Sequence, residues 1–319
     1  MTAVRNLKSG IRNFKSARFD FGSFFFSSLT GLATLLILAI LVIILLNIFV
    51  NGVRGLSWHF ISTIPKKDFF DADTTGVLPM IVGTAVRVLV MTIFVIPVGV
   101  ITAIYLTEYA ANSSVFTRII RAAVNNLAGV PSIVFGLFGL GFFINFIGKN
   151  LDALLHNPSP VWGQPALLWA SLTLAVMTLP VVIVATEESL RAIPQGLREA
   201  SLALGATKLQ TILKVVLPQA LPGIMTGGIL AVSRASGEVA PILFTGVAYY
   251  MASLPHKLSD QFMDLGYHVF VLSTQSPNIE QTRPILYATV LVLLALTFAL
   301  NFVAILIRSR VRKKLRRLG

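Results

Sequence analysis

Two residues of opposite charge, Arg234 and Glu238, lie four positions apart in an otherwise apolar stretch of this sequence. On a continuous helix this spacing places both side chains on one face. A charge at the centre of a bilayer costs at least ~2.5 kcal/mol on insertion scales, so we expect both to face the interior of a helix bundle. Arginine offers forked donors that suit an oxyanion, and the glutamate can hold it while no anion is present. The pair is therefore either a substrate pathway or a structural ion pair that locks neighbouring helices.

A third charge, Arg87, lies about ten residues into another apolar run. An arginine at that depth can snorkel to the interface, pair with a partner subunit or guide an anion. We keep it as a third candidate for the pathway. Gly237 and Pro241 interrupt the stretch around Glu238, which would permit the helix to distort there.

A polar stretch, residues 199–218, separates two long apolar segments and reads EASLALGATKLQTILKVVLP. Pro194 precedes it and Gly205 interrupts it, while Pro218 and Pro222 are expected to stop the helix that follows. The pattern predicts a short helix, a break and a second helix. Gly205 suits a turn or a close approach that favours a residue without a side chain.

The elements that position these residues are apolar and long. The chain is 55% hydrophobic and 12% charged, with a mean hydropathy of +0.81, whereas soluble domains carry roughly a quarter charged residues. Six runs each exceed the roughly 20 residues that a helix needs to cross the hydrocarbon. They lie at about 29–50, 77–106, 122–147, 166–186, 222–249 and 285–307. The sequence predicts an all-α polytopic membrane protein with six transmembrane helices.

Basic residues indicate the orientation. Of the 26 Lys and Arg residues, 18 fall in the two termini and the loops that share their side, including residues 187–220, and 6 fall in the other loops. Since basic residues concentrate on the cytoplasmic side, we expect both termini and the polar stretch in the cytoplasm.

The same composition argues against several other functions. The net charge of +13 follows this topology and is not gathered on one folded face, so no nucleic-acid partner is expected. No cysteine is present, and the four histidines lack ligand spacing, so no metal or other cofactor is predicted. Gly148-Lys149 is followed by Asn150 and lacks the earlier glycine of a Walker A motif. The chain is expected not to be an enzyme.

The spacing within the polar stretch carries a resemblance. Glu199-Ala200-Ser201, three residues, Gly205, nine residues, Val215, one residue and Leu217-Pro218 resembles the EAA loop of bacterial ABC-importer permeases. The family pattern has Ala at the position of Ser201 and Ile at that of Val215. The resemblance implies that this loop forms the helix that docks on an ATPase subunit. The ATPase-coupling residues would be Glu199, Ala200, Gly205, Leu217 and Pro218.

Further stretches narrow the family. Gly83-Thr84 and residues 103–110, 127–139, 234–246 and 273–278 are similar to the A permease subunit of phosphate-specific ABC importers, over about residues 70–310. The resemblance implies a non-catalytic subunit, with a five-span core and an added N-terminal helix, that carries inorganic phosphate across the bacterial cytoplasmic membrane. It also implies a second homologous permease subunit, two ATPase subunits and a periplasmic phosphate-binding protein.

The expected organisation follows from these observations. It comprises a basic cytoplasmic tail (1–28), a first transmembrane helix (29–50), a periplasmic loop (51–76), the permease domain (77–307, with its coupling loop at 194–220) and a second basic tail (308–319).

Two alternatives stay open. The EAA loop does not distinguish phosphate from another oxyanion such as molybdate or sulfate, or from a peptide. A secondary carrier or channel that works without ATP would not require the loop at all.

Overall fold

The fold is described from a computed structural model, which covers residues 21–65, 70, 75–111, 113–251 and 253–316. Within these ranges the chain is nearly all helical, and its extended pairing amounts to one bridge between Val247 and Phe262. Six helices of the described part are long and apolar enough to cross a bilayer. The all-α, six-span prediction is confirmed. Most of the predicted N-terminal tail lies outside the described residues, as do the last three residues of the C-terminal tail.

The chain divides into two compact units, residues 1–50 and 51–319. Helix α1 begins in the first unit and runs from Phe21 to Gly55, with no charged residue before Arg54. It contains the predicted first span, 29–50, and extends beyond it at both ends.

The second unit holds the remaining helices. In chain order they are α2 (Trp58–Ser62), α3 (Leu78–Ile104, continued by a π-helical segment Tyr105–Tyr109), α4 (Val115–Leu127), α5 (Ser132–Phe138, continued by a π-helical segment Gly139–Gly148), α6 (Lys149–Leu154), α7 (Leu167–Arg191), α8 (Gln195–Ala203), α9 (Lys208–Thr211, continued by a π-helical segment Ile212–Val216), α10 (Leu217–Gly237), α11 (Leu265–Thr274) and α12 (Ile279–Arg316).

Helix α7 forms the centre of this unit. About two thirds of its most apolar stretch is buried, more than in the other spans, and it packs against α3 and α10. Met91 of α3, Leu174 of α7 and Ala231 of α10 are fully buried in one hydrophobic cluster. The other helices of this unit therefore cover α7, although the spans of α1, α3 and α12 have a higher mean hydropathy.

The third predicted span, 122–147, differs from the structure. Helix α4 ends at Leu127, and a new helix begins at Ser132 after Pro131, which is extended at φ −57° and ψ 138°. Proline disfavours helical geometry in the residue before it and lacks the N–H that a continuing helix would use. The span therefore runs from Ser132 to Leu154, and α4 is a separate amphipathic helix.

The fifth predicted span, 222–249, is displaced toward the N-terminus. The helix runs without a break from Lys208 to Gly237, through Pro218 and Pro222, so the expectation that these prolines stop it was wrong. The N–H of Leu217 bonds to the carbonyl of Ile212, five residues back, in the π-helical turn that precedes Pro218. The wider turn carries the change in hydrogen bonding that a proline imposes on a helix.

Candidate functional site

The Arg234–Glu238 pair lies at the end of α10. Arg234 is in the last turn of the helix, and Glu238 follows its end with extended geometry at φ −79° and ψ 127°. Arg234 Nε lies 3.4 Å from Glu238 Oε1, so the predicted pairing is present. The predicted continuous helix and the position midway along a span were wrong, because the helix starts at Lys208 and ends at Gly237.

The pair also differs from expectation in its exposure. The side chains of Arg234 and Glu238 are 43% and 23% exposed, so the pair lies at a surface of this chain and not in the interior of its bundle. An exposed ion pair contributes only about 0–1 kcal/mol. Both residues belong to the end of α10, so their contact joins no neighbouring helices, and it leaves the guanidinium accessible to another partner.

Arg87 occupies the opposite environment. Its side chain is fully buried, and its Nη2 lies 2.8 Å from Asp264 Oδ2 of the same chain. Its guanidinium also donates to the carbonyl oxygens of Ala235 (3.0 Å) and Ser236 (3.4 Å), near the end of α10. Neither snorkelling nor a pair with a partner subunit describes this geometry, because both Nη atoms of the arginine bind groups inside its own bundle.

Asp264 is the N-cap of α11. Its Oδ1 accepts from the backbone N–H groups of Gly266 (2.9 Å) and Tyr267 (3.2 Å), and its Oδ2 accepts from the Thr84 hydroxyl at 2.9 Å. The Thr84 oxygen in turn accepts from the N–H of Leu265 at 3.0 Å. Carboxylates cap helix N-termini in this way because the first N–H groups have no partner within the helix. Asp264 therefore caps α11 and also pairs with the Arg87 guanidinium.

A glycine makes this approach possible. A Cβ at Gly83 would clash with the carbonyl oxygen of Met263. Only glycine lets α3 come this close to the backbone that leads into α11. Gly83-Thr84 was singled out in the sequence only for its resemblance, and the structure gives both residues a contact role.

The charges of this cluster match the helix ends. The Arg87 guanidinium meets the carbonyl end of α10, which carries partial negative charge, and the Asp264 carboxylate meets the amide end of α11, which carries partial positive charge. The cluster thus joins α3, the end of α10 and the start of α11, next to Arg234 and Glu238. This is a positioning role; the assignment of Arg87 to the pathway itself stays a prediction.

Sequence reasoning missed Asp264. It lies between the fifth and sixth predicted spans, and its partner Arg87 is far away in the chain. One signal was present, since an aspartate directly before the apolar run of residues 265–272 is a typical helix start.

The coupling loop has the predicted helix, break and helix. Helix α8 ends at Ala203, Gly205 has a positive φ of 84°, and Thr207 starts α9 with a capping box to Gln210. No atom lies within 4 Å of a Cβ built on Gly205, so the requirement for glycine there is conformational and not steric.

The surface of this loop is open. Helix α8 has no buried residue, Glu199 and Ala200 are exposed, and Leu204 is 90% exposed. Leu217 and Pro218 lie apart from it, half-buried in the first turn of α10. The predicted coupling residues therefore divide into an exposed set on α8 and its turn, and a packed pair on α10.

Arg198 anchors the loop to the bundle. Its Nη2 lies 2.9 Å from Glu108 Oε1, and its guanidinium donates to the carbonyls of Ile193 (2.6 Å) and Leu190 (2.8 Å). These partners lie in the π-helical end of α3 and at or just after the end of α7. A displacement of α8 must therefore act on both long helices. Sequence reasoning assigned no contact to Arg198.

Comparisons with known proteins agree with this architecture. Residues 95–317 match the family model described as binding-protein-dependent transport system inner membrane component. The probable ABC transporter permease protein YqgI of Bacillus subtilis (strain 168) is 38% identical over 215 residues, 67% of this chain and 67% of that protein. The phosphate transport system permease protein PstA 1 of Mycobacterium tuberculosis (strain CDC 1551 / Oshkosh) is 35% identical over 221 residues, 69% and 66% of the two chains. This chain thus spans about two thirds of the length of these relatives.

A solved structure shares the fold. A chain of a bacterial alginate ABC transporter, crystallised with an alginate-bound periplasmic protein, aligns over 95% of this chain and 98% of its own length with a TM-score of 0.60. At 15% identity the likeness extends to the fold alone. With a family model that covers well over half of its length, the chain belongs to the inner membrane components of binding-protein-dependent transport systems.

Proposed function

We propose that this chain is a transmembrane subunit of an ATP-driven importer of inorganic phosphate. The cargo assignment is supported by a relative that carries the name of a phosphate transport permease. The observation that carries it is the half-exposed guanidinium of Arg234 at the broken end of α10. An anion entering a low-dielectric passage needs a countercharge, and arginine presents donors that match an oxyanion.

Glu238 acts as the resident partner of Arg234. At 3.4 Å and partly exposed, their contact is weak enough for a phosphate oxygen to compete with it. Glu238 already lies beyond the helix end, so it can move away from Arg234 while α10 stays intact. The buried Arg87–Asp264 pair keeps the end of α10 in place during this exchange.

Helix α8 is the contact with the ATPase. Its exposed side chains have no place in the bundle, and docking on a second protein would cover them. Movement of the ATPase then reaches α3 and α7 through the contacts of Arg198. ATP hydrolysis belongs to two separate ATPase subunits, and a homologous permease and a periplasmic phosphate-binding protein complete the complex.

The proposed setting is the bacterial cytoplasmic membrane, with both termini and the segment 194–220 in the cytoplasm. Residues 29–50 and 77–307 form the membrane part, residues 51–76 face the periplasm, and residues 1–28 and 308–319 are basic cytoplasmic tails. The basic C-terminal run is attracted to the anionic inner leaflet.

Reconstitution tests this function. The complete complex in proteoliposomes should take up labelled phosphate only when ATP and the binding protein are both present. Uptake without ATP would identify a secondary carrier. Stronger competition by sulfate or molybdate than by unlabelled phosphate would change the cargo to another oxyanion.

A further inference from the structure

A cavity of about 620 Å³ lies where α3, α4, α7 and α8 meet, at the root of the coupling loop. Its volume is within the range of about 300–1,000 Å³ that small-molecule sites occupy. Four guanidinium groups line it against a single lining carboxylate, Glu108. The arginines are Arg118, Arg121, Arg191 and Arg198.

Two of these arginines are held by the protein. Arg198 is bound to Glu108 and to two backbone carbonyls. Arg121 donates to the carbonyl of Leu106 at 2.9 Å, and its Nε lies 4.0 Å from Glu187 Oε1, beyond hydrogen-bond distance. These two form the fixed wall of the cavity.

The other two arginines have donors to spare. Arg191 Nη2 lies 3.2 Å from Glu187 Oε2, on the carboxylate that Arg121 also approaches, and the Arg191 side chain is 54% exposed. The side chain of Arg118 makes no ion pair or hydrogen bond within the described ranges. The hydroxyl oxygen of Thr107, which also lines the cavity, is buried without a hydrogen-bond partner in the same ranges. The cavity therefore combines surplus positive charge with unused donors.

We propose that this cavity binds a phosphate-type oxyanion, either free inorganic phosphate or the phosphate group of a nucleotide. Forked guanidinium donors bind such groups bidentately, and Arg118 and Arg191 approach the cavity from α4 and α7. The site is distinct from the Arg234 pair, because no residue of α10 lines the cavity and Arg234 lies in the last turn of that helix.

Because the cavity borders the segment that joins α7 to α8, an anion bound there would affect the coupling loop. Ala192, Ile193 and Pro194, which connect α7 to α8, form part of the cavity wall. An anion between Arg118 and Arg191 ties α4 to the root of α8 and restrains the loop. That this restraint reports cytoplasmic phosphate rests on the proposed function; the binding itself does not.

Binding to the full-length chain in lipid nanodiscs tests the site. Labelled inorganic phosphate is titrated against the wild type and against Arg118→Ala combined with Arg191→Ala. A matched control, Arg312→Ala with Lys313→Ala, removes two positive charges from exposed positions of α12. We expect at least tenfold weaker binding in the cavity variant, and wild-type binding in the charge control.

The outcomes separate the alternatives. Equal affinity in the cavity variant, equal loss in the charge control or no binding by the wild type would overturn the site. Displacement by chloride at the same ionic strength as phosphate would do the same. Displacement by ADP at lower concentration than by phosphate identifies a nucleotide as the source, and the reverse order identifies free phosphate.

Two further measurements serve as controls for folding and for charge. Thermal melting shows whether the cavity variant is folded, and Arg118→Lys keeps the charge while it removes the fork, so binding should weaken less than in the double variant. Because no ATPase or transport is involved, a chain that binds phosphate in the cavity but imports none contradicts only the proposed function. A chain that imports phosphate with no cavity binding contradicts only this inference.

Discussion

Two arginine–carboxylate pairs, Arg87 with Asp264 and Arg234 with Glu238, lie near the same end of α10 and differ in their surroundings. The first is fully buried at 2.8 Å with additional backbone acceptors, and the second is partly exposed at 3.4 Å. Residue types alone do not separate them, since both join an arginine to an acid within apolar segments. Burial separates a pair that fixes the structure from a pair that is free to exchange partners.

A third pair lies between these extremes. Arg198 and Glu108 are 13% and 10% exposed, at 2.9 Å, and they join α8 to the end of α3. The three pairs form a series of decreasing burial. We expect the cost of breaking each pair to follow this series.

The largest effect is expected for Asp264→Ala. It leaves the buried Arg87 without its countercharge and α11 without its cap, at a cost of about 3–5 kcal/mol. Thermal melting in one detergent should show this loss. As a control, Arg87→Met with Asp264→Leu removes both charges and should melt above the single variant. If Asp264→Ala were as stable as the wild type, the expectation that the most buried pair costs most to break would be wrong.

Glu108→Ala should have an intermediate effect. Arg198 keeps its two carbonyl acceptors, so we expect a cost of about 1.5–3 kcal/mol, typical of a hydrogen bond to a charged group. Hydrogen exchange of residues 195–203 should accelerate, because α8 loses its anchor to α3. The matched control is Glu188→Ala, an exposed glutamate on α7. Equal exchange in both variants would contradict the anchoring role.

Gly205→Ala is expected to cost about 1–2 kcal/mol, because an L-residue is strained at a positive φ. Gly196→Ala is its control, since Gly196 has equally open surroundings and an ordinary φ. ATP-driven uptake should fall in the first variant and persist in the second. Equal uptake and equal melting would show that the turn has no conformational requirement.

Arg234→Gln separates stability from function. The partly exposed pair contributes about 0–1 kcal/mol, so melting should stay near the wild type while phosphate uptake by the assembled complex is lost. Two paired changes, the charge swap Arg234→Glu with Glu238→Arg and a neutral replacement of both residues, test the two interpretations of the pair. A structural pair tolerates the swap and a neutral replacement, whereas a phosphate pathway does not tolerate the neutral replacement. Substantial uptake by Arg234→Gln would remove this residue from the pathway.

The smallest effect on stability is expected for Glu199→Lys. Glu199 is exposed on α8, so melting should not change measurably, but co-purification with the ATPase subunit and uptake should decrease. Glu280→Lys makes the same charge reversal at an exposed position of α12, outside the coupling loop, and should leave co-purification unchanged. Normal ATPase association of Glu199→Lys would contradict docking through this face.

The sequence predicted those features that depend on local pattern. Run length and hydropathy predicted six spans, and the glycine spacing of the coupling loop predicted its break at Gly205. The pairs Arg87–Asp264 and Arg198–Glu108 escaped prediction because their members are 177 and 90 residues apart, and no local period signals such a contact. The π-helical turn at Ile212–Val216 was missed because its hydrogen bonds leave no mark on hydropathy, and the prolines after it were therefore misread as a helix end.

The Arg87 guanidinium constrains the segment that connects the end of α10 to the start of α11, because it binds both helix ends. It holds the carbonyls of Ala235 and Ser236 at one end and Asp264 at the other, so residues 238–263 form a loop that is closed at its base without a covalent bond. The entropy of closing a loop grows only with the logarithm of its length. A short flexible insertion near the exposed His256 should therefore cost the native state little, because the Arg87 contacts and the burial of Ile242 and Phe262 hold the two ends of this loop in place.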